Sequence, residues 1–115
     1  MHRHDKKTVT ENTVCTVKKC SCGAYNVSYR FVTMNLSEEG FMRVVQACYD
    51  WDEKRGGRAP GKIFHLFVGG VSIHIADDDF PLFNAAVQQA AAQEMKIIDF
   101  LYGEQIQFAN LKNSK

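Results

Sequence analysis

Three of the four cysteines fall within eight residues, as Cys15 and then Cys20-Ser21-Cys22. Thiolates are strong nucleophiles and soft metal ligands, so thiols this close invite two kinds of chemistry. One is metal binding. Zinc takes four sulfur or nitrogen ligands in a tetrahedron, and Cys15, Cys20 and Cys22 would supply three of them. The spacing departs from a zinc knuckle, whose paired thiols have at least two residues between them where Cys20 and Cys22 have one. The other is thiol redox chemistry, for which Lys18 and Lys19 beside Cys20 would lower the thiol pKa. The plain alternative is a pair of strand-edge thiols with no ligand. Cys48 falls on the apolar side of an expected helix and reads as a buried, inert thiol.

A second pair follows from a hairpin. Gly69-Gly70 separates the β-rich runs Ile63 to Val68 and Val71 to Ile75, and two glycines accept the positive φ of a primed two-residue turn. That register sets Val68 opposite Val71, Leu66 opposite Ile73 and His65 opposite His74. Opposed Cβ atoms lie ~5 Å apart, so the imidazoles could share a metal or form a pH-sensitive pair. Simple alternation on a solvent-facing sheet surface would also place them there. The same construction sets Asn26 opposite Asn35.

Other motifs carry less. Gly56 to Lys62 has phosphate-loop spacing up to its lysine, but Ile63 stands where Ser or Thr should hold magnesium, and the stretch follows a helix instead of a strand. Nucleotide hydrolysis is excluded on that ground. Lys54, Arg55, Arg58 and Lys62 leave a weak anion or RNA contact as an alternative to an ordinary basic loop. Asp77-Asp78-Asp79 has no calcium loop after it and reads as helix-start charge, like Glu38-Glu39. No Ser/His/Asp order, HExxH or glycosidase carboxylate pair is present, so no catalytic activity is expected.

The elements that must position these residues can be read from pattern. The chain has 115 residues, 45% of them hydrophobic and 23% charged, with a net charge of +1. These are the proportions of one globular domain that buries about 65% of its unfolded surface, not of a disordered or fibrous chain. Near-neutral charge gives no global field toward nucleic acid or membrane, and no apolar run has the length of a spanning helix. No apolar stretch follows the basic start Met1 to Lys7, so no secretory signal is read and reduced thiols in a cytoplasm are expected.

A repeat organises the chain. Leu36 to Phe41 matches Ile75 to Phe80 at a spacing of 39 residues, and Val32 to Leu36 matches Val71 to Ile75. Each copy reads strand, turn, strand, helix, with Arg30-Phe31 an unsuitable turn pair in the first. Ser37 is an N-cap, and Phe41, Val44, Val45, Cys48 and Trp51 keep helical spacing. Asp77 to Asp79 would cap the second helix, whose stripe runs Phe80, Phe83, Val87, Ala91, Met95 and Ile98. Its far end carries Met95, Ile97, Ile98, Phe100 and Leu101, apolar enough to imply cover by a second subunit.

The expected architecture is therefore α+β. A tandem ββα repeat forms one antiparallel sheet with two helices on one face, plus an extra N-terminal strand at Val14 to Lys19. Residues 1–12 are expected to be disordered, and 13–111 to form a single domain. Within it the copies span about 24–51 and 62–91, joined by a linker at 52–61 and followed by a helical extension to about 102; 112–115 form a tail.

Cys20-Ser21-Cys22-Gly23-Ala24-Tyr25-Asn26-Val27, with Val32 to Leu36 and the helix opened by Phe41, resembles small uncharacterised bacterial proteins. These have a Cys-x-Cys-Gly start, an apolar strand, a Gly turn, a second strand and a Phe-led helix. The likeness covers about residues 20–91. The second copy keeps the Gly turn and Phe80 but has Lys62 in place of Gly23 and lacks the cysteines. No activity is implied by the resemblance. The element order is also similar to that of the dimeric secretion-chaperone fold without its first helix, an analogy of fold alone. The function expected is a cytoplasmic, homodimeric binding or adaptor protein with no cofactor, a protein segment as partner, and neither membrane nor nucleic acid engaged. The alternative is a metal-binding (zinc-like) or thiol-redox protein using Cys15, Cys20 and Cys22, or His65 with His74.

Overall fold

The computed structural model describes residues 5–54 and 61–95. Within them the chain runs β1 (Lys6–Glu11), β2 (Cys15–Cys20), β3 (Tyr25–Tyr29), β4 (Val32–Leu36), α1 (Glu38–Glu53), β5 (Phe64–Val68), β6 (Val71–Ile75) and α2 (Phe80–Met95). The fold is α+β with two antiparallel sheets, a four-stranded meander in the order β1-β2-β3-β4 and a separate β5-β6 hairpin. α2 lies on β1 and β2, α1 lies on β4 and β5, and the helices touch each other.

Alternation explains the core. Cys15 and Val17, Tyr25 and Val27, and Met34 and Leu36 are buried on one face of the meander. Helical spacing brings Phe41, Val44, Val45 and Cys48 of α1 to meet them. Tyr25 stacks on Phe41 with ring centroids 4.4 Å apart and planes 9° from parallel. Such a pair adds roughly 0.5–1.5 kcal/mol beyond the area it buries. Ser37 caps α1, its Oγ accepting from the Gly40 N–H at 3.0 Å. Gln88 of α2 donates to the Val45 carbonyl of α1 at 3.1 Å, which fixes one helix against the other.

The expected single sheet is not what forms. The second hairpin meets the end of β4 with its tip: a Cβ on Gly69 would lie 3.3 Å from Leu36 Cδ2. Aromatic packing draws its apolar face inward instead, with Phe64 5.3 Å from Trp51 and 5.2 Å from Phe80 between ring centroids. The hairpin closes over the helices and does not extend the meander.

Residues 6–11, expected to be disordered, form β1 instead. Their polar run hides the strand from any hydrophobic pattern. β1 is held by its ladder to β2, by Thr10 Oγ1 donating to the Ala86 carbonyl at 2.8 Å, and by the neighbouring Asn12 Nδ2 donating to the Leu82 carbonyl at 2.9 Å. Thr10 is buried with its hydroxyl paired, so the cost of burying it is met.

Both hairpins keep the expected register. Tyr29 faces Val32 and Asn26 faces Asn35, while Val68 faces Val71 and His65 faces His74. Gly69 and Gly70 have φ of +59° and +78°, as a primed turn requires. In the first hairpin Arg30 itself takes φ of +54°. The helix starts do not correspond under the 39-residue shift. α1 follows the single cap Ser37, whereas a turn over 77–79 precedes α2. Asp79, expected to supply helix-start charge, reaches back to Arg30 and Tyr29.

Gly69→Ala is expected to lower the melting temperature, at a cost of about 1–2 kcal/mol for a side chain at positive φ, with a further penalty from the Leu36 contact. Gly70→Ala, whose added Cβ meets nothing within 4 Å, should cost less. Chemical denaturation of both variants checks the order, and equal losses would mean that the hairpin tip does not abut β4.

Candidate functional site

Cys20 ends β2, and Cys22 sits in the turn that follows. The turn is closed by two backbone bonds, Cys20 N–H to the Ala24 carbonyl at 2.8 Å and Gly23 N–H to the Cys20 carbonyl at 2.9 Å. Gly23 has φ of +100°, which a residue with a Cβ rarely adopts. The start of β1 clamps the turn from the side. Ser21 N–H donates to the Asp5 carbonyl at 2.8 Å, and Asp5 N–H donates to Ser21 Oγ at 3.3 Å.

This geometry brings the two sulfurs to 3.0 Å. Cys20 is buried and Cys22 is exposed. The Cys22 N–H also points at the Cys20 sulfur, at 3.4 Å. The Cys22 thiol is held below the ordinary cysteine value, chiefly by its hydrogen bond with Cys20, then by the backbone at Ala24, with Lys6 adding a favourable charge. The pair opens onto a shallow depression whose charged walls are Asp5, Lys7, Lys19 and Glu94. Glu94 lies 3.7 Å from the Lys7 ammonium and 3.8 Å from that of Lys19.

Other sequence candidates are dispersed. Cys15 stands at the opposite end of β2 from Cys20, about 17 Å away at the rise of an extended strand, so the three-cysteine cluster does not assemble. It is buried in the core, and desolvation pushes its thiol up to about 12. Cys48 is raised for the same reason, with Cys15 adding to it. Both are inert. Lys18 lines the outer face of the meander beside Asn26 and Ser28, and Lys19 turns to Glu94 and to the Tyr25 ring, 5.3 Å away. Lys6, opposite Cys20 in the β1–β2 ladder, adds a favourable charge at Cys22.

His65 and His74 do meet. Their rings stack with centroids 4.4 Å apart and planes 25° from parallel, both on the exposed face of the β5-β6 hairpin. His65 Nε2 lies 2.6 Å from Ser72 Oγ. Among the described residues no group of three or more His, Cys, Asp and Glu side chains gathers in a way that could hold a metal ion. Of the basic loop, Lys54 and Lys62 are exposed, and Arg55 and Arg58 lie outside the described residues. Met95 ends α2, while Ile97, Ile98, Phe100 and Leu101 also lie outside them. No described helix is long and apolar enough to cross a membrane. Comparison with family profiles, curated proteins and solved structures finds no match.

Asp5, Lys6, Lys7 and Glu94 are the site residues that sequence reasoning missed. Nothing local marks them, because their place depends on β1 pairing with β2 and on α2 passing over both strands. The depressed Cys22 thiol predicts faster alkylation by iodoacetamide at neutral pH than an ordinary cysteine, with a rate–pH midpoint below the ordinary cysteine value. Lys6→Gln should move that midpoint upward. A midpoint at the ordinary cysteine value in the unaltered protein would refute the assignment.

Proposed function

We propose that this chain is a small thiol–disulfide exchange protein whose working group is the Cys20–Cys22 pair. The observation that supports this reading is the 3.0 Å approach of a buried and an exposed thiol on one clamped turn. In the exchange, the Cys22 thiolate attacks one sulfur of a substrate disulfide. That S–S bond breaks, the outgoing thiolate takes up a proton, and a mixed disulfide remains on Cys22. Cys20 then loses its proton, and its thiolate attacks the Cys22 sulfur. The second substrate sulfur leaves as a thiolate and is protonated. The pair has lost two electrons and two protons, and the substrate has gained them. A disulfide between residues i and i+2 closes a small ring, and strained disulfides are the labile ones that are readily handed to another dithiol. The reading places the chain in a reducing compartment, where thiols persist.

Removing the buried partner isolates the first step. With excess glutathione disulfide, Cys20→Ser is expected to accumulate a mixed disulfide on Cys22, seen by intact-protein mass spectrometry. The unaltered chain should pass through it and lose two hydrogens. Equal accumulation in both proteins would show that Cys20 does not resolve the intermediate and would end the proposal.

A second reading, a homodimeric adaptor that holds a protein segment, is favoured by Phe31 and Val32. They stand exposed at the tip of the β3-β4 hairpin, Phe31 at 102% of its reference area. Such a side chain on a turn is cheaper to cover than to leave in water. Sedimentation velocity is expected to give a dimer at micromolar concentration and a monomer for Phe31→Asp. A monomer in the unaltered protein would remove this reading.

A further inference from the structure

The β5-β6 hairpin carries chemistry that the thiol pair does not use. Its inner face, Phe64, Leu66, Val68, Ile73 and Ile75, is buried in the core. Its outer face presents His65 and His74 directly opposed, with Ser72 diagonal to His65. We propose that His65 and His74 together bind one divalent cation of the borderline class, Zn2+, Ni2+ or Cu2+, with the remaining positions open to water or a ligand.

Three observations carry this. The first is distance. Two imidazole nitrogens at 2.0–2.1 Å from a metal are separated by about 3.3 Å in a tetrahedral arrangement and by at most about 4.1 Å in a linear one. The ring centroids stand 4.4 Å apart with planes 25° from parallel, so the two imidazoles are close enough to share an ion once rotation about their exposed side-chain torsions turns an in-plane lone pair of each toward it. The second is the hydroxyl of Ser72, 2.6 Å from His65 Nε2. Metal-bound histidines commonly commit one ring nitrogen to such a partner, which orients the ring and leaves the other nitrogen for the metal. Here the nitrogen left is Nδ1. The third is the setting. A purely solvating sheet face would be polar throughout, but Phe67 is exposed on the same strand as His65, and Ile63, just before the strand, is exposed on its other side. Apolar neighbours of this kind limit water around a bound ion. The equivalent place on the first hairpin holds Asn26 and Asn35, whose side chains bond to each other and offer no imidazole.

The test must separate this site from the thiols and from the histidines near the chain start. The full chain carrying His2→Ala, His4→Ala, Cys20→Ser and Cys22→Ser serves as the parent. Isothermal titration with NiCl2 and with ZnCl2 is expected to give one bound ion per chain. Adding His74→Asn or His65→Asn should weaken binding at least tenfold, while far-UV circular dichroism stays unchanged because both side chains are exposed. Ser72→Ala retains both ligands and should weaken binding by roughly 10–100-fold through loss of ring orientation. Unchanged affinity in the two histidine variants, or no binding by the parent at millimolar ion, would overturn the proposal. Either result leaves the thiol exchange reading where it was, since the parent lacks both of its sulfurs.

Discussion

One carboxylate ties the β3-β4 turn to the start of α2. Asp79, in the turn before α2, receives Arg30 Nε at 2.9 Å and Nη2 at 2.7 Å in a forked pair, and the Tyr29 hydroxyl at 2.6 Å. These bonds hold the carboxyl below its usual range, Arg30 first and Tyr29 second. Tyr29 in turn accepts from the Ala76 N–H at 3.3 Å. The geometry resolves the poor turn chemistry of Arg30-Phe31. An arginine at φ of +54° carries a cost of about 1–2 kcal/mol, and the fork that Asp79 makes with it offsets that cost in the folded state. The β3-β4 turn is thus set by a residue 49 positions further along the chain. The start of α2 is fixed with it, and through α2 the position of β1.

Much of the local structure was legible because it obeys period. The α1 stripe of Phe41, Val44, Val45 and Cys48 and the α2 stripe of Phe80, Phe83, Val87 and Ala91 are buried as their spacing demands. The Gly69-Gly70 turn fixed which residues face one another across β5 and β6, and so brought the two histidines together. What could not be read depends on contacts between distant segments. β1 has no apolar alternation, and it is held by its ladder to β2 together with Thr10 and the adjoining Asn12 reaching carbonyls of α2. The separation of the sheets follows from Phe64 packing between Trp51 and Phe80, which no strand pattern encodes. Asp79 looked like helix-start charge because such charge is usual there, and only the tertiary fold shows the arginine across from it.

The thiol pair shows the same division. Adjacency in sequence placed Cys20 and Cys22 close together, and the alternation of β2 put Cys15 into the core. The electrostatics around them came from elsewhere. The basic neighbours in sequence, Lys18 and Lys19, are directed to the outer face and to Glu94, and the cation that acts on Cys22 is Lys6 from the adjacent strand. Alternation accounts for Lys19, which adjoins Cys20 in sequence but points to the opposite face of the strand, where it meets Glu94.

The location of the pair within a single turn bears on how the protein tolerates oxidation. A cross-link stabilises a fold largely by removing freedom from the unfolded chain, and the effect grows with the length of chain it encloses. A bond between Cys20 and Cys22 would enclose only Ser21, so the unfolded ensemble would lose almost nothing that the turn had not already restricted. The strain of the small ring would be present with or without the rest of the fold. On the proposed exchange reading, oxidation of this pair would therefore change the folding equilibrium little through chain entropy, in contrast to a cross-link between distant strands.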